Sequence, residues 1–137
     1  SDVVAGRWRA AQDAFVAAVT APGGPNPDLP ALAQTMSGHE LDFVRHYLAT
    51  ARAEGYSGRG TASFGQPTVH LDSATQATVT SCETDQTYLV DTQGNPVPGR
   101  AGNPGPTLTG IRATLTLDAL GVWKVTNSVS TEGSCPS

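Results

Sequence analysis

The sequence contains few charged residues and very little lysine. Charged side chains make up 15% of the 137 residues, and the formal net charge is −4. Lys124 is the single lysine, and the arginines are spread along the chain rather than clustered. Nucleic acids and anionic membrane surfaces are bound by clustered Lys and Arg, so the composition argues against both kinds of partner.

Long apolar runs and recognisable reaction motifs are also missing. No apolar run approaches the ~20 residues that a membrane span requires. His39 and Glu40 begin an H-E-x-x-H pattern, but Phe43 occupies the position of its second histidine, so a zinc-protease motif is not formed. No serine lies in a nucleophile elbow, and no glycine-rich stretch has the Lys and Ser/Thr of a phosphate loop. The sequence therefore predicts no catalytic residue, no metal site and no cofactor.

The spacing of the apolar residues changes near Gly55. Before it they recur at helical intervals, and after it they alternate with polar residues among which Thr is abundant. A helical half followed by a strand half predicts an α+β fold, with three N-terminal helices packed on a curved antiparallel sheet of about four to six strands. The length fits one domain over residues 1–137.

Capping residues mark the first two helices. The first is predicted over residues 3–20 with Asp2 as its N-cap, and the second over residues 29–36 with Asp28 as its N-cap. Prolines and glycines in residues 21–27 cannot continue a helix, so they separate the two.

The third helix has the clearest boundaries. Ser37 and Glu40 have the spacing of a capping box, in which each side chain bonds to the backbone of the other. Gly55 suits the position after the helix, which we expect to end at about Glu54. Its buried face is predicted to consist of Leu41, Val44, Leu48 and Ala51.

Alternating residues predict the strands, and a proline-rich segment interrupts them. Residues 61–64 and 69–71 flank Pro67, which indicates either an edge strand or a strand broken at a bend. Further strands are predicted over residues 76–84, 88–90 and 111–117, the last returning as a hairpin over residues 123–129. Residues 92–106 are rich in proline and glycine, and they suit either a polyproline-like arm for a partner or a mobile connection stiffened by proline.

Cys82 and Cys135 lie in the strand half. They could be two separate thiols packed as small apolar groups. A disulfide is favoured, because Cys135 lies in a polar tail that little else would hold. In the chain-entropy treatment, closing a loop of about 50 residues stabilises the fold by about 4 kcal/mol. A disulfide predicts an oxidising, extracytoplasmic location.

Three helices, the second of them short, followed by a curved sheet, resemble the nuclear transport factor 2-like, or ketosteroid isomerase-like, cone fold. The chain is similar in particular to small exported actinobacterial proteins of that superfamily, which are often lipoproteins. The residues that carry this resemblance lie at 4–8, 38–56, 97–99, 121–125 and 133–135.

The resemblance implies a pocket between helices and sheet that binds a small apolar ligand or a protein partner, in a secreted or lipid-anchored domain. Its candidate wall consists of aromatic residues: Trp8, Phe15, Phe43, Tyr47, Tyr88 and Trp123. It also implies pairing of two copies through their sheets, for which the candidate surface is a polar strand face formed by Thr78, Thr80, Thr114 and Thr116.

An isomerase of this fold needs a carboxylate base and donors for an enolate oxygen. The candidate acids are Asp42, Asp72, Glu83 and Asp91, and the candidate donors are His46, Tyr47 and Tyr88. None matches a pattern that carries a known activity. We therefore expect a non-catalytic binding domain, with an envelope assembly module and a small lyase or isomerase as alternatives.

Overall fold

The computed structural model describes residues 1–98, residues 108–131 and Cys135. Within these residues three helices come first: α1 (Asp2–Val19), α2 (Pro30–Thr35) and α3 (Gly38–Ala53). Seven strands follow: β1 (Ser57–Arg59), β2 (Ala62–Phe64), β3 (Thr68–Leu71), β4 (Gln76–Asp85), β5 (Tyr88–Val90), β6 (Leu108–Leu117) and β7 (Trp123–Thr131). The predicted α+β fold is confirmed.

Five strands form one antiparallel sheet. β4 pairs with β6 on one side and with both β2 and β3 on the other, and β7 pairs with the far side of β6. The predicted strand is thus broken into β2 and β3, because Pro67 cannot donate to the ladder. A second irregularity, between Thr114 and Leu115, interrupts the β6–β7 pairing. Such breaks bend a sheet and let it curve around the helices.

The expectation that the strand half forms a single surface is wrong in one respect. β1 and β5 pair with each other in a separate two-stranded sheet. The chain leaves the main sheet at a turn where Asp85 Oδ1 accepts hydrogen bonds from the backbone nitrogen and the hydroxyl of Thr87, at 2.9 and 2.6 Å. This turn redirects β5 towards β1 and the end of α1.

Part of the proline-rich segment folds as a tight turn after β5. Asp91 Oδ1 accepts hydrogen bonds from the backbone nitrogens of Gln93 and Asn95, at 2.9 and 3.0 Å, and Val97 N donates to Leu89 O at 2.9 Å. Residues 99–107 lie outside the described residues, so the interpretation of that stretch as an arm or as a mobile connection stays open.

The first two helices each begin one residue away from their predicted starts. Ser1, not Asp2, is the N-cap of α1, and Leu29, not Asp28, precedes α2. Before α2 a side-chain to backbone hydrogen bond is made instead by Asn26, whose Oδ1 accepts from Asp28 N at 2.9 Å. In the described residues no helix has the length and apolar character needed to cross a membrane.

Helix α3 starts and stops where predicted, but its capping box does not form. Ser37 is the N-cap and makes no side-chain cap bond. Its expected partner Glu40 lies instead beside Ser128 on β7. Gly55 follows the helix with φ +80°, a conformation that favours glycine. Of the predicted buried face, Val44, Leu48 and Ala51 are buried and Leu41 is half-buried.

The core lies between the helices and one face of the sheet, which we call the inner face. Trp8 from α1 and Leu48 from α3 are fully buried there against Val79, Leu115 and Val125. Burying a side chain of this size stabilises a fold by about 1.5–3 kcal/mol.

The connection between α2 and α3 is tied to the start of β7. Ser37 N donates a hydrogen bond to Val125 O at 3.0 Å, and Met36 forms a bridge to the same residue. From α1, Arg7 Nε donates to Trp123 O at 3.1 Å, and Arg7 Nη2 donates to Gln34 O. These bonds fix all three helices relative to one edge of the sheet.

The predicted disulfide between Cys82 and Cys135 is confirmed, with their Cα atoms 5.7 Å apart. Strand alternation places Cys82 on the outer face of the sheet, opposite the helices. Its register partner on β6 is Gly110, and a side chain there would contact the sulfur of Cys135. The absent side chain leaves room for the hydroxyl of Thr131, which a Cβ at this position would overlap.

Gly58 allows the closest backbone approach between β1 and α1, so substituting it tests this packing. A Cβ at this position would overlap the carbonyl oxygen of Val19, which is backbone and cannot rotate away. We expect Gly58→Ala to lower the free energy of unfolding by about 1–3 kcal/mol. Gly6→Ala is the matched control, because it lies in α1 with no atom within 4 Å of its Cβ. That variant should gain up to about 1 kcal/mol. Equal urea midpoints for the two variants would contradict the packing.

Candidate functional site

A cavity of about 180 Å³ lies between α1, α3 and the inner face of the sheet. Most of its wall is apolar. The apolar lining residues come from both helices, from the connection before α3 and from strands β2 and β6: Ala11, Phe15, Val16, Met36, Phe43, Val44, Ala62, Phe64 and Ile111. Pockets of this kind, apolar with few polar groups, are the usual form of small-molecule sites.

A second cavity, of about 210 Å³, adjoins the first and shares Phe15, Phe43, Val44 and Asp85 with it. Aromatic side chains dominate its wall. The rings of Phe15 and Tyr47 have centroids 6.1 Å apart. Phe43, which also lines this cavity, is 63% exposed. Each cavity is smaller than a typical ligand pocket, whose lower limit is about 300 Å³, but the two together exceed that limit.

Three of the six predicted wall residues therefore meet at these cavities: Phe15, Phe43 and Tyr47. The other three lie elsewhere. Trp8 is in the core, with its ring edge-on to Phe64 at 5.7 Å, and none of its surface is exposed. Tyr88 is on β5 opposite Arg59, and Trp123 begins β7. Spacing along α1 does not distinguish Trp8 from Phe15, because both belong to the same apolar stripe.

Three carboxyl groups face the first cavity. Glu83 and Asp85 are two residues apart on β4, so both lie on the inner face, and Glu40 faces them from α3. Glu83 stands opposite Phe64 in the β2–β4 register. Burial, with a smaller contribution from the negative charge of Asp85, raises the pKa of Glu83 to about 7.

The pKa of Glu40 is also raised by burial, and contacts with Ser128 and the charge of His39 oppose that shift. Glu40 was predicted as a capping residue, and its place in the cavity was missed. The spacing of Glu40 indicates this position, because Glu40, Val44 and Leu48 follow one another at four-residue intervals and so share the buried face of α3.

Of the four candidate acids, Glu83 alone lines a described cavity. Asp42 is exposed on α3, and Asp91 holds the turn after β5. Asp72 Oδ2 accepts from the Thr78 hydroxyl at 2.7 Å, and its Oδ1 lies 2.8 Å from Nδ1 of the exposed His70. The Thr78 and His70 hydrogen bonds lower the pKa of Asp72. Both His70 and Asp72 are exposed to solvent.

A carboxyl group with a pKa near 7 can give or take a proton at neutral pH, as a general acid or base must. The hydroxyls that accompany Glu83 across the two cavities belong to Ser128, Tyr47 and Thr87. Within the described residues no three His, Cys, Asp or Glu side chains are grouped as a metal site.

A broader depression, of about 380 Å³, lies beside the disulfide. Its wall includes Cys82, Cys135, Gly110 and several threonines. Two of its wall residues, Thr131 and Cys135, are separated in sequence by residues 132–134, which are outside the described ranges, so the cavity between α1 and α3 is the better-defined site.

No family model and no curated protein sequence matches the chain. Solved structures do. The intermembrane-space region of the chloroplast protein ARC6 aligns with a TM-score of 0.64 and 19% identity over 91% of each chain. A ketosteroid isomerase-like protein from Erwinia carotovora atroseptica aligns at 0.56 and 14%, over 96% of each chain. The association domain of C. elegans CaMKII aligns at 0.50 and 13%, over 90% of this chain and 91% of that one.

The chain has the ketosteroid isomerase-like cone fold. The predicted resemblance is confirmed at the level of the fold. Identities this low do not transfer a reaction or a partner, because the same fold carries unrelated functions. The function has to be argued from the cavity itself.

Glu83 makes the stability of the domain depend on pH. Its folded pKa of about 7 exceeds the ordinary 4.5, so the folded state binds the proton more tightly than the unfolded state. The free energy of unfolding should therefore fall as pH rises from 4.5 to about 7. We expect Glu83→Gln to be more stable than the parent at about pH 8, by about 1–2 kcal/mol after allowing for partial solvent contact.

Urea unfolding across this pH range measures the effect, and the gain should shrink towards about pH 4. Asp42→Asn is the control, because it removes one negative charge from an exposed position on α3. A Glu83→Gln variant whose stability relative to the parent is independent of pH would show that the carboxyl group is not desolvated.

Proposed function

We propose that residues 1–137 form a single non-catalytic, extracytoplasmic domain that binds a small, largely apolar ligand between α1, α3 and the sheet. The observation that carries this proposal is the pair of adjoining, mainly apolar cavities at that place. Water in such a space finds few hydrogen-bond partners, so an apolar ligand gains free energy by replacing it.

The absence of a complete reaction centre among the described wall residues supports binding rather than catalysis. Their charged side chains are Glu40, Glu83 and Asp85, and no Lys, Arg or His accompanies them. An enolate or other oxyanion formed beside these carboxylates would be repelled, whereas a bound ligand that does not react needs no such stabilisation.

The disulfide supports the proposed location. Bridges such as Cys82–Cys135 form and persist in oxidising compartments, which for a bacterial domain means a secreted or lipid-anchored protein at the cell envelope. The similar ARC6 region is itself an intermembrane-space region, which is compatible with a role outside the cytoplasm.

Filling the cavity should abolish binding of an apolar probe. Gln12 lies on α1 at the cavity wall and is only half-buried, so a larger side chain can enter there without displacing the core. We expect the neutral dye Nile red to fluoresce with the parent domain and to lose at least about tenfold in affinity with Gln12→Trp.

Asp13→Trp is the matched control, because the next residue on α1 is exposed and does not line the cavity. It should bind the dye as the parent does. Equal loss in both variants, or no dye binding by the parent, would refute binding in this cavity.

A second candidate function is self-association through the outer face of the sheet. Thr78 and Thr114 are register partners there, and Thr80 and Thr116 extend the same polar surface. The similarity to a CaMKII association domain favours this candidate. We therefore propose a homodimer that pairs through these threonines.

Sedimentation equilibrium tests the homodimer. We expect the parent to dimerise at high concentration and Thr114→Arg to stay monomeric, because two copies would bring the new charges together. Thr75→Arg, in the exposed turn before β4, should dimerise like the parent. A monomeric parent at every concentration would exclude the homodimer.

A further inference from the structure

We propose that the ligand of the cavity between α1 and α3 is a cation: a small amine with an aromatic or aliphatic body. This inference rests on the proposed function and specifies the chemistry of its ligand. It is carried by the charges around the cavity and by the aromatic wall next to them.

The charges around the cavity have one sign. Glu40 approaches from α3, and Glu83 and Asp85 approach from β4. The described lining residues of α1, β2, β6 and β7 contribute no charged side chain. The nearby Arg9 has its guanidinium over the rings of Trp8 and Phe64, at 5.5 and 5.4 Å, and is not part of the wall.

The three carboxyl groups differ in what already satisfies them. Asp85 accepts two hydrogen bonds from Thr87, and Glu40 lies against Ser128 with His39 nearby. In the described part of the chain no side chain or backbone group donates a hydrogen bond to the carboxylate of Glu83, and no cation pairs with it. Glu83 is therefore the carboxyl group that would gain most from a ligand carrying a hydrogen-bond donor or a positive charge.

Burying a carboxylate without a partner is costly, and a neutral apolar ligand would increase that cost by removing the remaining water. Burial already raises the pKa of Glu83. An ammonium group beside Glu83 reverses the cost, because it pairs with the charged carboxylate and donates hydrogen bonds to it. Anionic ligands are disfavoured by the same charges.

The adjoining aromatic wall suits the rest of such a ligand. Phe15, Phe43 and Tyr47 present rings within about one ligand length of the carboxyl groups, since Phe15, Phe43 and Asp85 border both cavities. Aromatic faces attract cations as well as apolar rings, so either end of an amine is accommodated.

A set of three probes with one body and different charges tests the inference. Naphthylmethylamine is a cation, naphthalenemethanol is neutral and naphthoate is an anion, and each can be titrated against the intact domain by displacement of Nile red. We expect the amine to bind at least about tenfold tighter than the alcohol, and the naphthoate weakest.

Glu83→Gln should remove most of the preference for the amine over the alcohol and leave the affinity for the alcohol unchanged. Glu40 lies on the opposite wall, and Glu40→Gln should also lower the affinity for the amine. Asp13→Asn is the control, because it removes the same charge from an exposed residue of α1 outside the wall. Thermal midpoints establish that each variant is folded.

Proton release provides an independent measurement. Because the amine requires the charged form of Glu83, its binding near pH 7 should release protons, and calorimetry in two buffers of different ionisation enthalpy detects them. Glu83→Gln should abolish most of this release, while Glu40 and Asp85 remain as the other titratable groups at the cavity.

The outcomes separate the inference from the proposed function. If the alcohol binds as tightly as the amine and no protons are released, the cationic ligand is excluded while an apolar binding cavity remains. If none of the three probes nor Nile red binds, the proposed function itself is wrong.

Discussion

The packing of α1 onto the inner face of the sheet is the contact on which the rest of the structure depends. Trp8 fills the space between helix and sheet at one end of this contact, where it is fully buried against Phe64. One turn further along, Ala11 is too small to fill the same gap, and Phe15 lies at the side of it. Trp8 sets the distance between α1 and the sheet, and Ala11 leaves the cavity beside it unfilled. One helix therefore contributes both to the close-packed core and to the open site.

Much of the fold can be predicted from residue spacing, because burial imposes a period of two on strands and near four on helices. The broken edge strand, the β6–β7 hairpin and the end of α3 all follow from local signals. The pairing of β1 with β5 does not, since two three-residue strands carry too little pattern to specify a partner. Glu40 shows the same limit of local signals. Its spacing from Ser37 predicts a capping residue, but in the folded chain it lies beside Ser128 on β7 and lines the cavity.

The carboxyl group of Glu83 destabilises the fold but lies where a bound ligand could pair with it. Glu83 would be more easily accommodated on the outer face, where water would solvate it, yet alternation along β4 directs it into an apolar space opposite Phe64. Proteins commonly tolerate such local costs at functional sites and recover the free energy elsewhere. Here the buried core of α1, α3 and the sheet, together with the disulfide, supplies that stability.

Methyl NMR of the labelled domain during titration with naphthylmethylamine tests most directly that this cavity is the binding site. The account predicts chemical-shift changes concentrated at the methyl groups of the cavity wall, in Ala11, Val16, Val44, Ala62 and Ile111. The methyls of Val129, on the outer face, should stay unchanged. Changes centred on Val129 with an unperturbed cavity wall, or no changes anywhere, would contradict it.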